Sequence, residues 1–297
     1  MDGRPIGMFD SGFGGLSVAR ALIDLAPHED LVYVGDTGRY PYGPRPQAEV
    51  RAFATQIAGW LVDEHDVKLV VVACNTASAA ALDVLSGVLP VPVVGVIDPG
   101  VRAVAKATRN RRVGLIGTVG TISSGAYQRA IRSLPVPLEL ACAACPGFVE
   151  FVERGETSSD QVAVLAERLL APVRDAGIDA LLLGCTHYPF LARTIADVMG
   201  RDVVLVASAD ETAFEVRDVL DRAGVGRDVD TEGALTVYSS GDVGWFRDVG
   251  GPLFGGELGD VQSLSWGTAP AVPDVAPHAH PAGRDARAGR RPGAASG

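Results

Sequence analysis

Lysine is nearly missing from this 297-residue chain, occurring only at Lys68 and Lys106. Lys68 precedes an apolar run and Lys106 sits in a helix-like stretch, so neither belongs to a pocket motif. That scarcity argues against chemistry needing a Schiff-base lysine, such as that of pyridoxal phosphate. Cysteine is also scarce, at Cys74, Cys142, Cys145 and Cys185. In a reducing compartment disulfides are not expected among them. Cys142-Ala-Ala-Cys145 is a CxxC with no second CxxC or nearby histidine to complete a zinc set, so buried small hydrophobes compete with a structural metal there. A thiol redox centre would want this motif on an exposed helix start. Here it ends a strand-like run and meets Pro146. No apolar run reaches the length of a membrane span, because Gly, Pro or a charge interrupts each one. The first five residues lack the basic-then-apolar pattern of a secretory signal. The expected class is a cytoplasmic enzyme.

The formal net charge is −10, and residues 268–297 carry four Arg against two Asp, so the body is more acidic still. Such a surface argues against direct nucleic-acid binding, yet allows a locally positive site for a small anion. With 47% hydrophobic and 21% charged residues the composition is globular, and the length suits two domains.

What the chain does have is a repeated order. Residues 6–9 spell a buried strand, Asp10-Ser11-Gly12-Phe13-Gly14-Gly15 a Gly-rich turn, and residues 16–22 a helix start. That arrangement either offers free N–H groups to an anion or is a plain βα turn. Residues 31–34 form a second strand, which opens into the loop 35–45 with Tyr40, Tyr42, Gly43 and two prolines. Such a loop is either functional or a surface connection. A helix spans 46–65, with Val50, Phe53, Ile57 and Leu61 on one stripe. Residues 69–73 are a continuous apolar strand, as at the centre of a parallel sheet. It ends in Cys74-Asn75-Thr76. A helix over 77–88 and a strand over 93–97, closed by Asp98-Pro99-Gly100, follow.

Then the pattern restarts. Strand 113–116 and a Gly-containing turn, 117–124, lead into a helix at 122–133 and strand 137–141. Helices at 146–154 and 159–175 precede strand 178–183, which ends in Cys185-Thr186-His187. Helix 190–199 and strand 203–206 close this half. From 208 a helix, strand 234–239, a segment around Trp245 and strand 261–265 return to the first half.

The expected fold is α/β: two pseudo-symmetric, doubly wound parallel-sheet domains with the active site in the cleft between them. The first domain takes 1–98 plus 208–267 and the second 99–207. Residues 268–297, rich in Ala, Pro, Gly and Arg without periodicity, are expected to be a disordered tail, His278 and His280 included.

Ligands of open α/β sheets bind beyond the carboxyl ends of the strands. Cys74 and Cys185 sit there, one per half. A single cysteine in that place is most often a buried small residue. Two matching strand–Cys–polar turns in two similar halves are harder to explain by packing. A thiolate on one face of a tetrahedral carbon and a thiol on the other would invert its configuration. Asn75, Thr76 and Thr186 are candidate donors to a substrate carboxylate. His187 and Asp10 are candidates to set the protonation of the nearer sulfur.

Five stretches carry a resemblance: IGMFDSGFGGLSV from Ile6, YVGDTGRYPYGP from Tyr33, ACNTASA from Ala73, VVGVIDPG from Val93 and LGCTHYP from Leu183. In sequence and order they resemble the motifs of glutamate racemases and cover residues 5–265. The resemblance implies a cofactor-independent, metal-free enzyme that interconverts L- and D-glutamate for peptidoglycan, with aspartate racemase as the nearest alternative. It implies Cys74 and Cys185 as the acid/base pair. Asp10, Ser11, Tyr42, Gly43, Asn75, Thr76, Thr186 and His187 would bind substrate. Asp10, Glu153 and His187 would support catalysis, although the Glu153 stretch has Gly147 and Glu150 where Leu and Pro are commoner. A homodimer is implied as well. A second role restraining DNA gyrase, reported for some relatives, is the remaining partner expectation.

Overall fold

The computed structural model describes residues 2–267 except 228 and 257. The tail expected to be disordered, 268–297, lies outside the described residues. In chain order the elements are β1 (Ile6–Asp10), α1 (Leu16–Leu25), β2 (Leu31–Gly35), α2 (Gln47–His65), β3 (Leu69–Val72), α3 (Asn75–Val88) and β4 (Val93–Gly95). There follow α4 (Ile97–Ala107), β5 (Arg112–Gly117), α5 (Val119–Ser124), α6 (Ala126–Arg132), β6 (Glu139–Ala144), α7 (Phe148–Glu153) and α8 (Asp160–Arg174). Next come β7 (Ala180–Gly184), a 3-10 turn (Tyr188–Leu191), α9 (Ala192–Met199) and β8 (Val204–Val206). The last described elements are α10 (Ala209–Ala223), β9 (Leu235–Ser239), α11 (Val243–Phe254) and β10 (Val261–Ser263).

These strands make two sheets, ordered β10-β9-β2-β1-β3-β4 and β6-β5-β7-β8. Every pairing is parallel. The first strand of each half lies between the second and third, and the fourth flanks the third. The same winding order thus occurs twice, and β3 and β7 are equivalent. Both are wholly buried, which is why their sequences are apolar without alternation. Register fixes where their ends fall: Phe9 pairs with Val72, and Ile116 and Gly117 pair with Leu183 and Gly184.

The C-terminal return completes the first core. Ala213, Val216 and Leu220 of α10, Val237 of β9 and Phe246 of α11 pack with Phe13, Leu16 and Leu22. A buried ion pair ties its entry point down: Lys68 Nζ lies 2.6 Å from Glu29 Oε2. The same ammonium donates to the carbonyls of Asp2 and Val225, and Glu29 Oε1 accepts from the Arg227 N–H.

Several elements differ from the sequence expectation. The strand placed at 93–97 stops at Gly95, and Asp98, Pro99 and Gly100 occupy the first turns of α4. Proline is tolerated where a helix N–H has no partner, and Asp98 suits the positive end of the helix dipole. The single helix at 122–133 is two, broken at Gly125, whose φ of 70° is left-handed. The strand at 137–141 runs later, over β6. The Trp245 segment is helix α11, capped by Asp242, whose Oδ1 accepts from the Trp245 N–H.

Removing one partner of a buried ion pair strands the other charge. Lys68→Ala should therefore lower stability by about 3 kcal/mol, measured by urea unfolding. A change below about 1 kcal/mol would show that the pair is solvated in practice.

Candidate active site

Cys74 follows β3 and is the N-cap of α3. Its Sγ accepts from the Ala77 N–H at 3.5 Å and lies 3.6 Å from Ser11 Oγ. Burial, and next the negative charge of Asp10, push this thiol far above its ordinary range. The hydrogen bonds from Ala77 and Ser11 oppose them without prevailing. Asp10, at the end of β1, accepts from the Gly15 N–H at 2.8 Å. The Gly-rich turn that begins here allows close approach. A Cβ at Gly14 would lie 2.2 Å from Thr186 Oγ1 and 2.6 Å from His187 Nδ1, both on the second half.

Cys185 follows Gly184 at the end of β7. Its Sγ lies 3.9 Å from His187 Nδ1, and His187 Nε2 lies 3.2 Å from Glu153 Oε1 at the end of α7. Burial alone would lower the imidazole pKa. Hydrogen bonds to Cys185 and Glu153, with the charges of Cys185 and Asp10, outweigh it and push His187 up to about 10. The Cys185 side therefore carries a protonated imidazole beside its sulfur, and the Cys74 side does not.

Beyond the cysteines the halves touch through polar atoms. Thr76 Oγ1 lies 3.0 Å from Thr118 Oγ1 and 3.2 Å from Thr121 Oγ1. The Gly120 N–H donates to the Gly43 carbonyl at 2.8 Å, and Gln47 Nε2 donates to the Gly120 carbonyl at 3.1 Å. Asn75 Oδ1 accepts from the Tyr127 hydroxyl. Its Nδ2 is buried with no partner among the described residues. That amide is a free donor facing the seam, suited to a carboxylate.

Asp10, Ser11, Asn75, Thr76, Thr186 and His187 are thus all buried along this seam with the two cysteines, and Glu153 reaches it through His187. Tyr42 is placed differently from a side-chain ligand. Its hydroxyl donates to Asp36, so any substrate contact from Tyr42–Gly43 comes from backbone. Asp36 is itself wholly buried, accepting also from Arg39 Nε, Ser240 Oγ and Trp266 Nε1. Neither Cys142 nor Cys145 is hydrogen-bonded to a site cysteine among the described residues, although Cys145 shares a core cluster with Cys185. Cys142 is half-buried with Gln128 Nε2 at 3.7 Å, and Cys145 is buried. Among the described residues no three His, Cys, Asp or Glu side chains cluster to hold a metal.

Thr118, Thr121, Tyr127 and Tyr40 join the site without having been singled out in the sequence. The signal for Thr118 and Thr121 was available, since their turn repeats the strand–Gly-loop opening that carries Asp10. Tyr127 reaches the seam through tertiary packing and carried no local signal, whereas Tyr40 lies in the 35–45 loop whose composition already suggested a functional role.

Fold and site define a class: an α/β enzyme with a thiol at the carboxyl end of the corresponding strand in each of two matching halves. The Asp/Glu/Hydantoin racemase family model matches residues 14–215. Glutamate racemase of Geobacter metallireducens is 45% identical over 265 residues, covering 89% of this chain and 98% of that protein. That of Acidothermus cellulolyticus is 48% identical, covering 89% and 100%. Among solved structures, glutamate racemase isoform RacE1 from Bacillus anthracis superposes with a TM-score of 0.84 at 38% identity, over 88% of this chain and 97% of that one. The Francisella tularensis glutamate racemase, solved in complex with D-glutamate, gives 0.83 at 34%, over 89% and 98%. The chain belongs to the Asp/Glu/Hydantoin racemase family, among its glutamate racemases. It is an amino-acid racemase. No helix of the described residues is long and apolar enough to cross a membrane.

Two outcomes follow from the geometry. Gly14→Ala should cut turnover by about 100-fold, because its methyl would displace Thr186 and His187 on the order of 1 Å. Activity within threefold of the parent would mean that the turn yields freely. His187 has a folded pKa raised above its ordinary value of 6.5. Its charge therefore stabilises the fold fully below about pH 6.5, and that contribution is lost as pH rises through about 10. Thermal unfolding between pH 7 and 10.5 should show this decline, and His187→Gln should flatten it.

Proposed function

We propose that this enzyme interconverts L- and D-glutamate by a two-base mechanism. Cys74 and Cys185 would act on opposite faces of the α-carbon. The observation that carries the reading is the equivalence of the two thiols. Each ends the same strand of the same winding order, and each has its own hydrogen-bonding partners at the seam. One sulfur, as thiolate, takes the α-proton, and the electron pair stays on the carbon as a carboxylate-stabilised carbanion. The other sulfur, as thiol, delivers its proton to the opposite face. One C–H bond breaks and one forms, no electrons leave the pair of molecules, and the thiols exchange protonation states.

The α-proton of an amino acid is weakly acidic, so the base must be strong. A dry site helps here: the same burial that keeps the Cys74 thiol neutral makes its thiolate more basic once formed. The substrate ammonium would offset the loss of solvent around that thiolate. Asn75 Nδ2, Thr76, Thr186 and the backbone of Tyr42–Gly43 would hold the carboxylates. Asp10 and Ser11 would serve the Cys74 side, and His187 with Glu153 the Cys185 side. This reading includes a first domain of residues 1–98 with 208–267 and a second of 99–207. It also includes D-glutamate supply to peptidoglycan, a cytoplasmic location and a homodimer. Restraint of DNA gyrase rests on the resemblance alone and forms no part of it.

The test is direct. Cys74→Ala and Cys185→Ala should each abolish racemisation, which by polarimetry means a loss of at least about 1,000-fold. Solvent deuterium should enter the α-carbon during turnover by the parent enzyme. Racemisation by either variant near the parent rate would refute the two-base reading. Faster turnover of aspartate than of glutamate would sink the substrate assignment.

A further inference from the structure

Tyr40 stands two residues before Tyr42 in the loop between β2 and α2, with a different fate. The Tyr42 hydroxyl is committed to Asp36. The Tyr40 hydroxyl is buried and has no hydrogen-bond partner among the described residues. An unpaired buried hydroxyl is unfavourable, so its persistence needs a reason. The ring is held from two sides. It meets Trp245 of α11 nearly edge-on, with centroids 6.5 Å apart. It also lies over Gly12, where a Cβ would come within 3.3 Å of Tyr40 Cδ2.

Across the seam stands Glu153. Burial first, and then the charge and hydrogen-bonding reach of Glu153, keep the phenol protonated far above its ordinary range. Glu150 and Cys185 act in the same sense. A phenol so held is a donor. Glu153 uses Oε1 on His187 Nε2, so a bond from Tyr40 would fall to its second oxygen.

We propose that Tyr40 is a positioning residue for the Cys185 side of the reaction, its hydroxyl donating across the seam to Glu153 and so fixing the Glu153–His187–Cys185 arrangement. Tyr40 comes from the first half and Glu153 from the second. Such a bond would join the two halves, and would link their approach to the readiness of one thiol. This inference rests on the two-base reading.

Thermodynamics dictates the form of the test. Enantiomers have equal free energy in water, so kcat/KM is the same in both directions for any variant. A defect confined to one thiol cannot unbalance it. Such a defect instead changes which proton transfer limits the rate in each direction.

Cys74→Ala is measured first. With Cys185 its only site thiol, it should exchange the α-hydrogen of one enantiomer alone with solvent, which identifies the enantiomer that Cys185 deprotonates. Exchange of both enantiomers, or of neither, would overturn the two-base reading and the Tyr40 proposal with it.

Tyr40→Phe keeps the ring and removes the hydroxyl. It should lower kcat/KM by about tenfold, the scale of a hydrogen bond to a charged group. The α-deuterium isotope effect should rise for the enantiomer that Cys185 deprotonates and fall for the other. Glu153→Gln should shift the isotope effects the same way, and the double variant should lose little more than Glu153→Gln alone. Isotope effects that stay put, or move alike in both directions, would overturn the Tyr40 proposal and leave the two-base reading standing. Losses that multiply in the double variant would do the same, as would a lower melting temperature with isotope effects unchanged.

Discussion

The seam between the two sheets is lined by buried side chains, and its polar atoms largely satisfy one another. Thr76 with Thr118 and Thr121, Tyr127 with Asn75, and Gly120 with Gly43 do so from opposite halves. Asn75 Nδ2 and Tyr40 Oη do not: both are buried and unpaired among the described residues. Each such vacancy costs about 1–3 kcal/mol. Folds tolerate such losses mainly where function needs the group. The same burial acts on the ionisable groups. It drives the Cys74 thiol up, and at His187 it is overcome only because two acceptors converge on one imidazole.

That seam exists because the first half is braced from behind. The loop carrying Tyr40, Tyr42 and Gly43 is too long to hold itself. Asp36 holds it, accepting at once from Arg39, Tyr42, Ser240 and Trp266. Two of those donors belong to the C-terminal return, some two hundred residues later. The return thus reaches the site indirectly, by fixing the backbone of a loop that offers peptide groups to the cleft. Trp245 does the same for the Tyr40 ring.

Much of this was legible in the sequence, for reasons particular to each element. The apolar runs of β3 and β7 announce strands buried on both faces, and a cysteine after each falls at a strand end by construction. The repetition of strand, Gly turn and strand–Cys turn correctly implied two parallel sheets, and the resemblance named the family. Local signals failed where tertiary context decided. The run Val93–Gly95 continues with β-branched Val96 and Ile97, yet the helix starts there, because Pro99 and Asp98 suit its first turn. Gly125 breaks a helix that periodicity alone would carry through. Tyr42 is conspicuous in its motif, but its hydroxyl is directed to Asp36, a carboxylate that no local pattern marks as a hub. Tyr127 meets Asn75 across 52 positions of sequence, and nothing near it foretells that.

The duplicated scaffold does not extend to the surroundings of the sulfurs. Cys74 is served by a helix N–H, a serine hydroxyl and a nearby aspartate. Cys185 is served by an imidazole backed by a glutamate. On symmetry alone, a reaction whose two ends have equal free energy would favour matched groups. The equality, however, holds only free in water. Once bound in a chiral cleft the enantiomers form diastereomeric complexes, and under the two-base proposal each sulfur would meet its proton in a different field. Strand order can be copied by duplication, because it follows from winding alone. The partner sets cannot be copied, because each is assembled from whichever elements cross the seam beside it: the Gly turn after β1 for one thiol, α7 and the Tyr40 loop for the other. Unequal tuning of equivalent thiols is therefore what this geometry should produce, and the proposed two-base reaction tolerates it as long as in every turnover one sulfur gains a proton and the other gives one up.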